Sequence, residues 1–384
     1  MRISRVLVTF AAGFLAGVEA GSVFGFSWWL AAILILAGVS GGLFELSGGS
    51  GRGFVVFVLA VGLFLGFLRV GTYHGAMAEA EKTFWTSARG VLTVKVKNIL
   101  PVDEAALFNA MVLGYEKDVS AKIKTDFNRT GTRHVVAISG MNISIVAMLI
   151  MSLGLSAGLW RRQSFWLAAA GVAAFVLLVG SPPSALRAGI MGIILLWAQN
   201  RGRLVQAWRP VMVAAFLMVV FNPTLLNGDI GFQLSFLAVL GIIYFKNFWA
   251  RMFGWLPLKL VRELITLSMA AQTTVWPVIL YNFGSLSVIS PVANIFVVPV
   301  LTPIMFLGLG FVITSPLSFL SPVFLWPAWL ILKITIKLVE FFGSFGWASA
   351  DLGKSGLMVF MFYPALYLFW RYLENKGWND ALPQ

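Results

Sequence analysis

The feature that most constrains this 384-residue chain is a succession of apolar runs, most of them near the roughly 20 residues that a helix needs to cross ~30 Å of hydrocarbon. They lie at 6–26, 28–46, 54–71, 134–156, 165–181, 185–200, 211–227, 230–246, 264–283, 288–314, 330–346 and 357–370. Lipid offers no partner to an open backbone, so such runs are read as helices. The expected fold is an all-α polytopic membrane protein with about twelve transmembrane helices. Composition agrees: 59% of residues are hydrophobic and 11% charged, against roughly 45–50% and 25% in soluble domains. A water-soluble fold of that make-up would expose far too much apolar surface. The first run follows two arginines as a signal peptide would, but Glu19 and the lack of a small-residue cleavage pattern mark a helix that stays. Zero cysteines exclude disulfides, thiolate metal sites and a thiol nucleophile.

Lys and Arg gather on the cytoplasmic side of short loops. With the N-terminus inside, Arg2/Arg5, Arg52, Arg161/Arg162, Arg201/Arg203/Arg209, Lys246/Arg251/Lys259/Arg262 and Arg371/Lys376 all fall inside. The opposite short loops carry almost no basic charge. This puts both termini in the cytoplasm and divides the chain into three leading helices (1–71), an extracytoplasmic segment (72–133), a core (134–314) and C-terminal helices (315–384). The formal net charge of +13 is therefore also a topological signal, and weak evidence for a polyanionic partner.

In the outer segment, the alternation of Val91, Thr93, Lys95 and Lys97 with Leu92, Val94 and Val96 reads as a short strand within 88–100. Residues 103–113 and 120–129 read as two amphipathic helices lying on the membrane, with Asp103 and Ser120 as N-caps. They serve equally as plain connectors. The run at 288–314 holds Pro291, Pro299 and Pro303, each removing a helix hydrogen bond, and a discontinuous or re-entrant element is expected there.

Polar side chains inside apolar runs are costly, and so mark either function or helix packing. Ser139 and Asn142 are three apart, with Ser144 close by; Asp229 and Gln233 are four apart beside Phe232 and Phe236; Ser268, Gln272 and Trp276 fall on one helical face. Arg187 opens the sixth run, Asn294 lies in the proline-rich one, and Arg133 and His134 begin the fourth. The bland reading is glue between helices. The sharper one is a pathway entered from outside, because these groups gather in the outer half. Two histidines are too few for a multi-His metal site, and no HExxH, GxSxG or Walker sequence is present. His134 and Ser139, five apart on one expected helix, are poorly spaced for a base and its nucleophile. No enzyme activity, metal or cofactor is expected.

Taken together, residues 130–142 (TGTRHVVAISGMN), 181–188 (SPPSALRA), 229–236 (DIGFQLSF), 271–277 (AQTTVWP) and 291–299 (PVANIFVVP) resemble, in this order, the motifs of the ComEC family, the DNA-uptake channel of natural competence. The first is similar to the family's GxxHLLAISGxH signature, with Asn142 where the family usually has His. The likeness covers roughly 100–314. It implies a passive channel in the cytoplasmic membrane carrying single-stranded DNA inward, with Arg133, His134, Ser139, Asn142, Arg187, Asp229, Gln233, Gln272, Trp276 and Asn294 along the path. Asp229, which would repel phosphate, is expected to pair with Arg187 or Arg133. Family members commonly add an OB-type barrel and a C-terminal metallo-β-lactamase-like domain; 72–100 is too short for the barrel, and no such domain precedes Gln384. A separate DNA receptor, nuclease and cytoplasmic motor or helicase are thus implied as partners, beside membrane lipids. The alternatives left open are a small-solute or lipid transporter or flippase with a midplane site, and an assembly scaffold that transports nothing.

Overall fold

The computed structural model describes residues 3–24, 52–72, 84–200, 208–354 and 356–375. The span expected at 28–46 and the start of the outer segment, 73–83, lie outside the described residues. The described chain is almost wholly helical. Four helical runs are long and apolar enough to cross a membrane, Ile230–Met252, Lys259–Phe283, Ser290–Thr314 and Ser318–Ser344. Shorter apolar stretches occur at Thr9–Ala20, Val55–Val70, Gly140–Ser156, Pro183–Ile194 and Pro210–Phe221. The chain divides into one unit of 1–79 with 201–236 and another of 80–200 with 237–384.

In the first unit, α1 (Ile3–Phe24) packs against α2 (Arg52–Thr72). Gly13 and Gly17 on α1 meet Gly62 and Gly66 on α2, and a methyl group added at any of the four would strike the backbone of the other helix. In lipid, where apolar burial gives helices no drive to associate, small residues four apart let backbones approach and gain dispersion contacts. Phe10 and Phe14 set their rings edge-on to Phe216 of α10 (Trp208–Phe221), with centroids 5.7 and 5.1 Å away. The guanidinium of Arg69 donates to the carbonyls of Val220 (2.8 Å) and Phe221 (3.2 Å), the last turn of α10, where a cation suits the helix dipole. The short α11 (Leu225–Gly228) leads to α12 (Ile230–Met252).

The second unit is built round a helix that the sequence reading laid on the membrane surface. In α4 (Val102–Leu113), every residue from Ala105 to Leu113 is buried. Only its first turn, with Asp103 and Glu104, is charged; beyond it every side chain but Asn109 is apolar, and such a helix belongs in a core rather than at an interface. Pro101, not Asp103, holds the N-cap position. Gly114 ends the helix with φ 68°, its N–H bonding the Ala110 carbonyl and that of Tyr115 bonding Asn109.

The stretch expected as a strand is α3 (Phe84–Ile99). Its alternation of side chains also satisfies a helical face, because Leu92, Val96 and Leu100 recur every four residues and face the core while Val91 and Val94 are exposed. Leu100 and Pro101 join α3 to α4, and Asn109 Nδ2 donates to the Thr93 carbonyl (3.4 Å), a pairing about equally far from the turn on both helices. Arg89 on α3 donates to the Val179 carbonyl (2.8 Å) and Lys95 to that of Ser315. The outer segment is thus partly a helical hairpin held within the bundle. Its other helix, α5 (Ala121–Arg129), is amphipathic as expected: Ile123 and Phe127 are buried, and Ser120 caps it, accepting from the Ile123 N–H.

Against this hairpin pack α7 (Gly140–Ser156), α8 (Arg161–Leu178), α15 (Leu301–Thr314) and α16 (Ser321–Ser344), while α9 (Pro183–Asn200) packs on α7 and α8, and α13 (Lys259–Phe283) on α14 (Ser290–Val297). Phe108 meets Phe311 edge-on at 5.9 Å, and Val112 fills the space that Gly308 leaves on α15. The proline-rich run is discontinuous in a mild form: one 3-10 turn, Val298–Val300, separates α14 from α15. Pro291 lies in the first turn of α14, where no backbone donor is lost. Two short strands, β1 (Ser285–Ser287) and β2 (Ser349–Asp351), pair antiparallel with Leu286 opposite Ala350. The last helix, α17 (Gly356–Asn375), bonds α13 through Tyr363, whose hydroxyl donates to the Thr274 carbonyl (3.0 Å).

Candidate functional site

The site begins where two helical faces meet. Ser268 and Gln272 are four apart on α13, and Ser290 and Asn294 are four apart on α14, so each pair shares one face of its helix. The two faces interlock. Gln272 Nε2 donates to Ser290 Oγ (2.8 Å) and to Ser268 Oγ (3.2 Å); Asn294 Nδ2 donates to Ser268 Oγ (2.8 Å) and to Ser290 Oγ (3.5 Å). Every donor here is an amide and every acceptor a hydroxyl, so the amide oxygens Gln272 Oε1 and Asn294 Oδ1 are left buried with no hydrogen-bond partner among the described residues. Asn294 is 7% exposed, while Gln272 is half-buried. A buried carbonyl without a partner is costly, and two such oxygens mark this helix contact as a polar one held at a cost. Trp276, one turn beyond Gln272, is half-buried. Ser290 went unnoticed in the sequence, although its spacing of four from Asn294 was the available signal.

The signature loop packs against the same serine. Gly131 has φ 67°, and a Cβ there would lie 2.6 Å from Ser290 Cβ and 2.9 Å from Ser287 Cβ, so both conformation and space require glycine. Ser287 Oγ donates to the Arg129 carbonyl (2.8 Å). The buried hydroxyls of Thr130 and Thr132 bond each other at 2.8 Å and brace the loop. Three of the motifs, at 130–142, 271–277 and 291–299, thus adjoin this one cluster.

The remainder of the first motif is not the continuous helix expected. Arg133–Val136 is a single turn, α6; the chain is then extended through Ala137, and α7 starts only at Gly140 with Ser139 as its N-cap residue. His134 and Ser139 therefore lie on different elements. Ser139 Oγ donates to Asn142 Oδ1 (2.9 Å), and Asn142 Nδ2 donates to the Met111 carbonyl near the end of α4 (2.9 Å). The expected pairing of Ser139 with Asn142 is present, but Asn142 is fully buried and tied to the core helix. His134 is exposed and bonds the Gly131 carbonyl through Nδ1 (3.2 Å). Arg133 pairs with Glu116 (3.5 Å) and donates to Asn128 Oδ1 (3.4 Å). On the same outer segment, Lys122 is hydrogen-bonded to the Glu340 carboxylate at 2.6 Å, which raises its pKa above the ordinary lysine value. Arg187 is buried on α9 at 4% exposure.

Asp229 and Gln233 belong to the first unit. Asp229 is extended, at φ −115°, and stands before α12 rather than on it. Its Oδ1 accepts the Phe232 N–H (3.0 Å), the geometry of an N-cap. Gln233 Nε2 donates to the Leu226 carbonyl (2.6 Å), and the rings of Phe232 and Phe236 lie 4.5 Å apart. Among the described residues no three His, Asp or Glu side chains gather as a metal site would need.

Comparison with known proteins gives this architecture a context. No solved structure matches. The chain is 28% identical over 206 residues to ComE operon protein 3 of Bacillus subtilis, covering 53% of this chain and 26% of that protein. It is 30% identical over 221 residues to Competence protein ComA of Neisseria gonorrhoeae, covering 54% and 30%, and 26% identical over 216 residues to the uncharacterized protein YcaI of Escherichia coli, covering 51% and 28%. It thus matches less than a third of the length of each relative. Residues 111–376 match the family described as Competence protein. That match takes in well over half of the chain and all of the polar cluster, and on it the chain belongs to the Competence protein family.

Proposed function

We propose that this chain forms a passive conduit through which single-stranded DNA crosses the cytoplasmic membrane into the cell during natural transformation. The observation that carries the reading is the quartet of Ser268, Gln272, Ser290 and Asn294, a neutral polar cluster bridging two apolar helices beside the signature loop. Membership of the Competence family and the likeness to Competence protein ComA support the cargo. A strand cannot pass ~30 Å of hydrocarbon without polar groups along its way. When the path opens, the amide oxygens of Gln272 and Asn294 would accept from base N–H groups, and Trp276 would offer a stacking surface worth roughly 1–3 kcal/mol per base without reading sequence. Arg133, His134 and Arg187 flank the route within the second unit in this reading, with Ser139 and Asn142 fixing the loop beneath it; Asp229 and Gln233 are the first unit's candidates for the path.

The conduit would comprise about twelve crossings with both termini in the cytoplasm. In this reading a motor or helicase on the cytoplasmic side draws the strand, and a receptor and a nuclease deliver it. Replacing Gln272 and Asn294 together by Leu, or Arg187 by Ala, is expected to abolish entry of labelled DNA while membrane insertion stays normal. Unimpaired uptake in an inserted Gln272/Asn294 double variant would defeat the reading. Accumulation of a small solute or scrambling of lipid by the purified chain would favour a transporter instead.

A further inference from the structure

Helix α16 carries Lys333, Lys337 and Glu340 inside an apolar run. Its buried face is regular, with Leu325, Ala328, Leu332, Thr335 and Val339 turned to the core. The two lysines stand four apart along one flank of that face. Trp329 precedes them by one turn on the same flank, and the Lys333 ammonium sits 4.8 Å from its ring centroid. Glu340 follows and is already engaged by Lys122 of α5 at 2.6 Å. On neighbouring elements Lys97 takes Asp118 at 2.7 Å, with the Tyr115 ring 5.9 Å from its ammonium. Among the described residues no carboxylate lies within ion-pair distance of Lys333 or Lys337. Glu340 is engaged by Lys122, and Asp126, which lies against Gly343 six residues beyond Lys337, makes no ion pair with either lysine, so both ammonium groups are without a carboxylate partner among the described residues.

An ammonium near the middle of a membrane-crossing helix is costly and needs a wet or polar surround. Lys333 stands twelve residues after Ser321 and eleven before Ser344, far from the helix ends where lysines reach lipid headgroups. The lysines are about 6 Å apart along the axis, of the order of the distance between neighbouring phosphates in an extended strand. We propose that Lys333 and Lys337 form a phosphate-holding track for the single strand, with Trp329 as a stacking surface beside it. The assignment rests on the conduit reading and gives it the cationic element that the neutral quartet lacks.

The test uses the full chain purified into phosphatidylcholine nanodiscs and a fluorescent 20-nucleotide thymidine oligomer, with affinity measured across salt concentrations. The Lys333→Gln/Lys337→Gln variant is expected to bind at least about tenfold more weakly, and its slope of log affinity against log salt should fall by about 1.4, at roughly 0.7 per lost phosphate contact. The Lys333→Arg/Lys337→Arg variant, which keeps both charges, should bind as the parent does. A Gln variant that elutes as one species yet keeps parental affinity and slope overturns the track and leaves the conduit standing. Parental chain that binds no oligomer at all overturns the conduit and the track together. If the Gln variant loses only co-purifying phosphatidylglycerol, with oligomer binding unchanged, the flank is a lipid site and the track is overturned.

Discussion

Asp229, a candidate for the path, also serves as a helix cap. In the sequence it stands four before Gln233, the spacing of a shared helical face, but the helix begins one residue later and the side chain closes its first turn. Asp229→Ala should cost about 0.5–2 kcal/mol, seen as a lower thermal midpoint in detergent. Asp229→Asn retains an oxygen to accept the Phe232 N–H and is expected to preserve both the midpoint and DNA uptake; a stable Asn variant without uptake would give the negative charge itself a role. Gly131 is the opposite case, since nothing in its immediate sequence reveals that Ser287 and Ser290 lie against it. A Val there meets both the strained backbone and those serines, so it should displace the signature loop and lower stability by more than the ~1–2 kcal/mol of the conformation alone. At this scale the sequence discloses which side chains are polar and expensive. It does not disclose which are satisfied: Asn142 and Gln272 look alike as letters, yet one is fully tied to Met111 and Ser139 and the other keeps a free oxygen.

Among the described residues, helices were legible where a run was apolar and long, and obscure where pattern and burial diverged. Residues 88–100 alternate like a strand because Val91 and Val94, on the outer side of α3, are as apolar as Leu92 and Val96 on its inner side. In a chain surrounded by lipid, outward-facing positions need not be polar, and the contrast that separates period two from period 3.6 fades. The same loss of contrast hid α4, whose near-uniform apolarity marks burial rather than a surface position. The crossing of α1 and α2 is more readable, for Gly13-x-x-x-Gly17 and Gly62-x-x-x-Gly66 are visible as spacings. Gly17→Leu should force these two helices apart, and faster proteolysis between them in membrane vesicles, with the core fragment of 84–200 left intact, would register the effect. Unchanged digestion would show that the contact is dispensable.

For the whole molecule, the tertiary contacts constrain topology in a way that loop charges do not. Leu286 pairs with Ala350, so the turns at 285–287 and 349–351 must share one side of the membrane. Between them lie the runs Ser290–Thr314 and Ser318–Ser344, and two crossings return a chain to the side it left. Ser287 also bonds Arg129, which brings the signature loop to that same side; the six expected runs between 134 and 283 are again an even number. The Lys/Arg rule expects that side to be the outside. The chain has no cysteine, so Leu286→Cys and Ala350→Cys can be read against a silent background. Each single variant should react from outside intact cells with a maleimide that cannot cross the membrane, and the double variant should form a disulfide under mild oxidant, because facing residues on paired strands lie within about 5.5 Å at Cβ. Labelling of one position only from the cytoplasm would mean that one of the two intervening helices fails to cross. The path drawn through Gln272 and Asn294 would then need a different entrance.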